Sequence, residues 1–174
     1  IKSLGISDTS NLCGAVEFSE KISKSGIQPI ICTQINFKLN DTTGLLPLFA
    51  LNETGYKNII ELSSNSYLEN DELSDPHVNF DELLKNSYGV SVFSGTVLGL
   101  FGKLFDKGKF TEINEIYSKI KNVFGDRFYL EIQRHNDTNE NGFEKFNLKQ
   151  SVELEIPIIA TNEVFYLSKD MHEA

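Results

Sequence analysis

The side chains that could do chemistry in this 174-residue chain sit where short apolar runs end. Asp8 and Thr9 follow Leu4-Gly-Ile-Ser7, Gln34 lies in Ile30–Phe37, and Ser94 follows Val90-Ser-Val-Phe93. Glu131, Gln133 and His135 lie on or just beyond Arg127-Phe-Tyr-Leu-Glu-Ile132, and Asn162, Glu163 and Phe165 follow Pro157-Ile-Ile-Ala-Thr161. In parallel α/β proteins, ligands and catalysis are found at the carboxyl ends of strands. A hydrolytic metal centre there would need several His, Asp and Glu to converge, because a cation needs anionic or imidazole ligands. The chain has three histidines: His77 beside Pro76 in an acidic stretch, His172 near the end, and His135, which alone follows a strand directly. Asp8 has two readings, a metal ligand or the cap of the next helix, and by residue type alone the cap weighs more. A nucleophile is not evident, since Cys13 falls inside a helix and Ser94 has no adjacent base. Gly95, Gly99 and Gly102 match neither the dinucleotide fingerprint nor the P-loop; they read as a turn and a glycine-softened helix.

Composition narrows the classes. Hydrophobic residues make up 40% and charged residues 24%, as in an ordinary globular domain able to bury a core. Acids outnumber bases 25 to 16, for a net charge of -9. A direct grip on DNA would need a clustered basic face. The densest basic run, Lys103 to Lys109, also holds Asp106. Cys13 and Cys32 have no metal-ligand spacing and read as buried, reduced thiols of a cytoplasmic protein. No apolar run reaches the ~18 residues of a membrane span.

The elements that must position these residues alternate. Ser3–Ile6 reads as a strand whose abrupt start at Ile1 implies a missing upstream segment. A helix with Ala15, Phe18 and Ile22 on one face follows, ended by Gly26. Strands are expected at Ile30–Phe37 and Leu45–Leu51, flanking a turn at Asn40–Gly44. Next come a helix at Thr54–Leu62 with Tyr56, Ile59, Ile60 and Leu62 inward, an exposed polar loop at 63–78, and a short helix at Asn79–Lys85. Val90–Phe93 is a strand, and Phe110–Phe124 is the clearest amphipathic helix, with Phe110, Ile113, Ile116, Tyr117, Ile120, Val123 and Phe124 on its apolar face. Arg127–Ile132, a helix at 142–154 and Pro157–Thr161 complete six strands. The alternation argues for a parallel α/β architecture.

Several of these segments carry a resemblance: Leu4-Gly-Ile-Ser-Asp-Thr-Ser-Asn-Leu-Cys-Gly-Ala-Val-Glu-Phe18, Gly26-Ile-Gln-Pro-Ile-Ile31, Asn58–Leu68, Ser94-Gly95, Phe124-Gly-Asp-Arg-Phe-Tyr-Leu-Glu-Ile-Gln-Arg-His135 and Ile156–Leu167. In this order, over essentially the whole chain, they resemble the PHP (polymerase and histidinol phosphatase) domain of the bacterial replicative DNA polymerase III alpha subunit. The resemblance implies a distorted seven-stranded β/α (TIM-like) barrel, incomplete at both ends here, as a single domain over 1–174 of a much larger polymerase chain. Active members hold two or three metals through His, Asp and Glu and hydrolyse phosphoesters. Their Asp-His falls on Asp8-Thr9, their Glu after the second strand on Gln34, and their Asn-Asp-x-His on Asn162-Glu-Val-Phe165, while their His-x-His would precede Ile1. Asp8, Glu131 and His135 stand as remnants.

Each lost ligand weakens a multinuclear site. The expectation is therefore a metal-free structural domain without a cofactor, supporting the polymerase core and docking a proofreading exonuclease subunit, in the cytoplasm. The alternative is a Zn- or Mn-dependent phosphoesterase or 3'-5' exonuclease with a reduced site. Polymerase activity, with its Mg, would lie elsewhere in the parent chain.

Overall fold

The period-3.6 pattern at 110–124 folds as a helix, Phe110–Phe124, that buries Ile113, Ile116, Tyr117, Ile120 and Phe124. Phe110 and Val123, expected inward, are 46% and 40% exposed, because the buried stripe is narrower than the apolar pattern. In the computed structural model, residues 1–70, 74–162, 164, 166 and 171 are described. Their helices are α1 Ala15–Lys24, α2 Glu53–Leu68, α3 Phe80–Lys85, α4 Leu100–Asp106, α5 Phe110–Phe124 and α6 Glu140–Leu154. The strands are β1 Ser3–Thr9, β2 Gln28–Leu39, β3 Thr42–Ala50, β4 Val78–Asn79, β5 Val90–Phe93, β6 Phe128–Ile132 and β7 Ile158–Ala160.

The strands form one seven-stranded sheet in the order β1-β2-β3-β5-β6-β7, with β4 paired to β2. The sheet curls into a half-barrel. It is mixed rather than parallel: β3 runs antiparallel to both β2 and β5, while β1/β2, β2/β4, β5/β6 and β6/β7 are parallel. The cause is the tight turn. Leu39 pairs with Thr42, leaving a two-residue loop, Asn40-Asp41, with Asn40 at φ 51°. Such a loop permits only an antiparallel hairpin, because a parallel return needs a crossover of a dozen or more residues.

Two further expectations change. Helix α2 runs on to Leu68, through residues read as loop, because Ser66 Oγ bonds back to Ser63 O (2.7 Å) and both serines are buried in the helix. Ile59 and Leu62 are fully buried as expected, but Ile60 is 40% exposed, off the buried stripe of α2. Strand β4 had no apolar run to announce it; two residues, Val78 and Asn79, pair with Phe37 and Lys38.

Alternation along the strands sorts the sheet into two faces. One face carries Ile35, Phe37, Leu46, Leu48, Val90, Val92, Phe128 and Leu130 into a core shared with α2, α4, α5 and Phe143 of α6. The other face carries Gly5, Cys32, Gln34, Pro47, Phe49, Phe93, Glu131 and Ile159 and lines an open concavity.

A close backbone approach locks α2 to the loop before β5. Asn52 caps α2 by accepting Gly55 N–H at 2.9 Å, and Leu51 N–H donates to Gly89 O at 2.8 Å. Gly55 lies so near that a Cβ on it would fall 1.8 Å from Gly89 O, and Gly89 itself has φ +70°. Neither position admits a side chain.

Candidate functional site

The concave face encloses a cavity of about 440 Å³. Phe49 of β3 and Phe93 of β5 make an aromatic wall, with ring centroids 4.2 Å apart, and Tyr129 meets Phe93 edge-on at 5.5 Å. The polar lining comes from Ser7, Gln34, Thr96, Gln133, Thr161 and Asn162. Cys32 also faces the cavity; its thiol donates to Ile6 O, and burial pushes its pKa up to about 11. Among the described lining residues one carries a carboxylate, Glu131, which is 5% exposed. The Thr161 hydroxyl donates to Glu131 Oε1, and Gln133 Nε2 donates to the same oxygen at 3.2 Å and to Thr161 Oγ1 at 2.9 Å. Glu131, Gln133 and Thr161 thus form a closed hydrogen-bonded ring between β6 and the end of β7.

The structure separates residues that the sequence grouped. Gln34 and Glu131 share the cavity. Asp8 does not line it: β1 turns Gly5 and Ser7 inward, and the Asp8 carboxylate accepts the backbone N–H of Gly14, at the start of α1, at 3.0 Å. Thr9 pairs with Gln34 on β2 and is exposed. His135 is exposed beyond β6, where its backbone N–H donates to Glu140 Oε1 at 2.8 Å. Asn136 N–H reaches the other oxygen of Glu140, also at 2.8 Å, and Arg134 grips Glu144 through two bonds of 2.8 and 3.1 Å. Helix α6 therefore holds this loop, and His135 is not among the residues that line the cavity. Cys13, expected buried, is exposed, because α1 starts only at Ala15. Glu163, Phe165 and His172 lie outside the described residues.

Sequence reasoning missed the buried support under Glu131. Ser94 Oγ accepts the Glu131 N–H at 2.9 Å, Asn147 Nδ2 donates to Glu131 O at 3.3 Å, and Tyr117 OH donates to Asn147 Oδ1 at 3.0 Å. Asn147 and Gln150 are the buried polar residues of α6, and their spacing of three within an otherwise polar helix was the available signal. Burial drives the Tyr117 phenol far above its ordinary pKa, so it remains a donor.

Comparison with known proteins now decides the family. Residues 1–135 match the PHP domain. The chain belongs to the PHP domain family. This PHP domain is 34% identical over 170 residues to the DNA polymerase III subunit alpha of Rickettsia felis, covering 97% of this chain and 14% of that one. It is 36% identical over 173 residues to the subunit from Rickettsia prowazekii, and 33% identical over 183 residues to that of Caulobacter vibrioides, covering 15% and 16% of those chains. The chain thus spans about one-seventh of the length of the polymerase subunits it matches. A solved structure named as a metal-dependent phosphoesterase, from Bifidobacterium adolescentis, overlaps 92% of this chain and 76% of its own at a TM-score of 0.45 and 12% identity. At that level the likeness decides nothing about chemistry.

The donor set of the PHP domain can be tested against a metal cluster. Among the described residues no three His, Cys, Asp or Glu side chains come together. The described lining residues offer one carboxylate, already accepting two donors on Oε1, plus neutral amides, hydroxyls and a thiol that keeps its proton at neutral pH. A cluster of two or three divalent ions needs several anionic or imidazole ligands to offset ion desolvation. The described residues do not fit one.

Proposed function

We propose that this PHP domain is a non-catalytic scaffold within a DNA polymerase III alpha-type chain. In this reading it braces the polymerase core and offers a docking face to a proofreading exonuclease subunit, in the cytoplasm. One observation carries the proposal: among the described residues of the concave face Glu131 is the one carboxylate and is engaged by Thr161 and Gln133, while Gln34, a neutral amide, lines the same cavity. The length of the matched polymerase subunits supports a larger chain as the setting. The net charge of -9 supports a surface that meets protein rather than DNA. No helix among the described residues is long and apolar enough to cross a membrane.

The test is elemental analysis of the purified protein, together with turnover of p-nitrophenyl phosphate and single-stranded DNA in added Mn²⁺ or Zn²⁺. The expected result is less than one equivalent of bound metal and no turnover above that of a Glu131→Gln control. Two or more equivalents, or turnover abolished by Glu131→Gln, establishes instead a metal-dependent phosphoesterase with a reduced site. Co-purification of the parent polymerase chain with an exonuclease subunit, lost when this domain is deleted, tests the docking role.

A further inference from the structure

On the helix-covered side of the sheet, α1 and α2 both pack on β2 and leave a groove of about 290 Å³ between them. Val16, Ser19 and Glu20 of α1, Ile31 of β2 and Tyr56 of α2 line it, with buried Ala15 beneath. Each of these three elements is described from end to end. The volume falls just below the roughly 300–1,000 Å³ of small-molecule sites, a size that suits side chains projecting from a peptide. Val16 is 66% exposed, and Ile60, one turn after Tyr56 on the same side of α2, extends the apolar rim at 40%. Apolar surface gathered in a groove and rimmed by polar side chains is the form in which an amphipathic helix is received.

Charge selects the occupant. Glu20 is the one charged side chain of the lining. The first-turn acids of the two helices, Glu17 and Glu53, each hold the Lys one turn on, at 2.5 and 2.7 Å. Glu20 has no hydrogen bond or ion pair among the described residues, although Lys24 stands one turn after it. An exposed ion pair adds at most about fivefold in affinity. Apolar insertion beside Val16 and Tyr56 therefore supplies the binding, and Glu20 decides which charge may flank it. A nucleic acid is the wrong ligand for such a face, because its phosphates need cations.

We propose that the groove between α1 and α2 docks a basic amphipathic helix of a partner protein. Apolar residues three and four apart enter beside Val16, Ile31 and Tyr56, and a Lys or Arg next to them pairs with Glu20. The inference deepens the docking role proposed above and rests on it, by naming a face and the chemistry of what sits there. Co-purification with an exonuclease subunit tests that role, and titration of the groove tests this one, so each can fail alone.

The experiment titrates the unmodified protein at pH 7 with two alanine-based helical peptides that share leucines three and four apart. One carries lysines beside the leucines and the other glutamates. Calorimetry gives the affinities and amide-shift NMR gives the place. The lysine peptide is expected to bind at least tenfold more tightly and to shift Val16, Ser19, Ile31 and Tyr56. Val16→Asp is expected to weaken it at least tenfold; Val16 is an exposed residue, so the variant keeps its fold. Glu20→Gln is expected to weaken it about threefold to fivefold, whereas Glu17→Gln, an equal change in net charge on the same helix, leaves it unchanged. Four outcomes overturn the proposal: shifts centred elsewhere, no effect of Val16→Asp, equal effects of Glu20→Gln and Glu17→Gln, or no preference for the lysine peptide. Absence of binding by both peptides overturns it as well.

Discussion

The Asp8 carboxylate accepts the backbone N–H of Gly14 at 3.0 Å, bridging β1 and the start of α1. A Cβ at Gly14 would lie 3.0 Å from Asp8 Oδ2 and 2.6 Å from Ile6, so glycine is what lets the helix start come this close. Asp8→Ala removes the acceptor and is expected to cost about 1–2 kcal/mol in urea unfolding, while Asp8→Asn costs less because an amide oxygen remains. Metal content should not change in either variant; a drop in bound metal would return Asp8 to the role of ligand.

Tyr117 and Asn147 form a polar contact of 3.0 Å in which both residues are fully buried. Tyr117→Phe keeps the ring contacts with Phe101 and Phe128 but strands the Asn147 carbonyl oxygen. A loss of roughly 1–3 kcal/mol is expected by chemical denaturation. Loss of under half that would mean that water or another donor takes over the oxygen.

Cys32 makes alkaline stability informative. Burial raises its folded pKa from the ordinary 9.0 to about 11. The folded state therefore keeps the thiol proton after the unfolded chain has lost it. This contribution is fully present below pH 9, falls as pH rises towards 11, and amounts to about 3 kcal/mol across that window. A Cys32→Ala variant should lose this part of the alkaline slope; parallel pH profiles for the two proteins would contradict the burial argument. At pH 8, Cys13, which is exposed, should react with a disulfide reagent many-fold faster than Cys32.

Gly55 is the steric counterpart. Its missing Cβ would sit 1.8 Å from Gly89 O, against backbone rather than a movable side chain. Gly55→Ala is expected to cost about 3 kcal/mol or more despite the better helix propensity of alanine, and thermal unfolding measures it. A neutral or stabilised variant would show that α2 can slide.

Much of the fold was legible because local rules and tertiary packing agree. The stripe of α5, the α1 face beginning at Ala15, the alternation of β2 and the break at Gly125 all follow from periodicity and backbone freedom. The misread strand direction was also legible: two residues between Leu39 and Thr42 exclude a parallel return. The length of α2 was not, because Ser63 and Ser66 read as loop residues until burial and the bond from Ser66 back to Ser63 are seen. The site was legible only by position along the chain. Asp8 and Glu131 end similar strands, but strand parity sends Asp8 toward the helix and Glu131 into the cavity, and one residue of register separates the two outcomes. His135 was grouped with Glu131 by proximity in sequence, and its loop is held by Glu140, with His135 exposed.

The interlocked glycines Gly55 and Gly89 have a consequence for how the molecule opens. Helix α2 cannot draw back from the loop before β5 without breaking both the Asn52 cap and the Leu51–Gly89 bond, and β5 cannot leave β3 without disturbing that loop. The α2 amides and those of β5 are thereby tied into one foldon. In native-state hydrogen exchange they should become accessible together, with a single opening free energy, although more than twenty residues of chain lie between them.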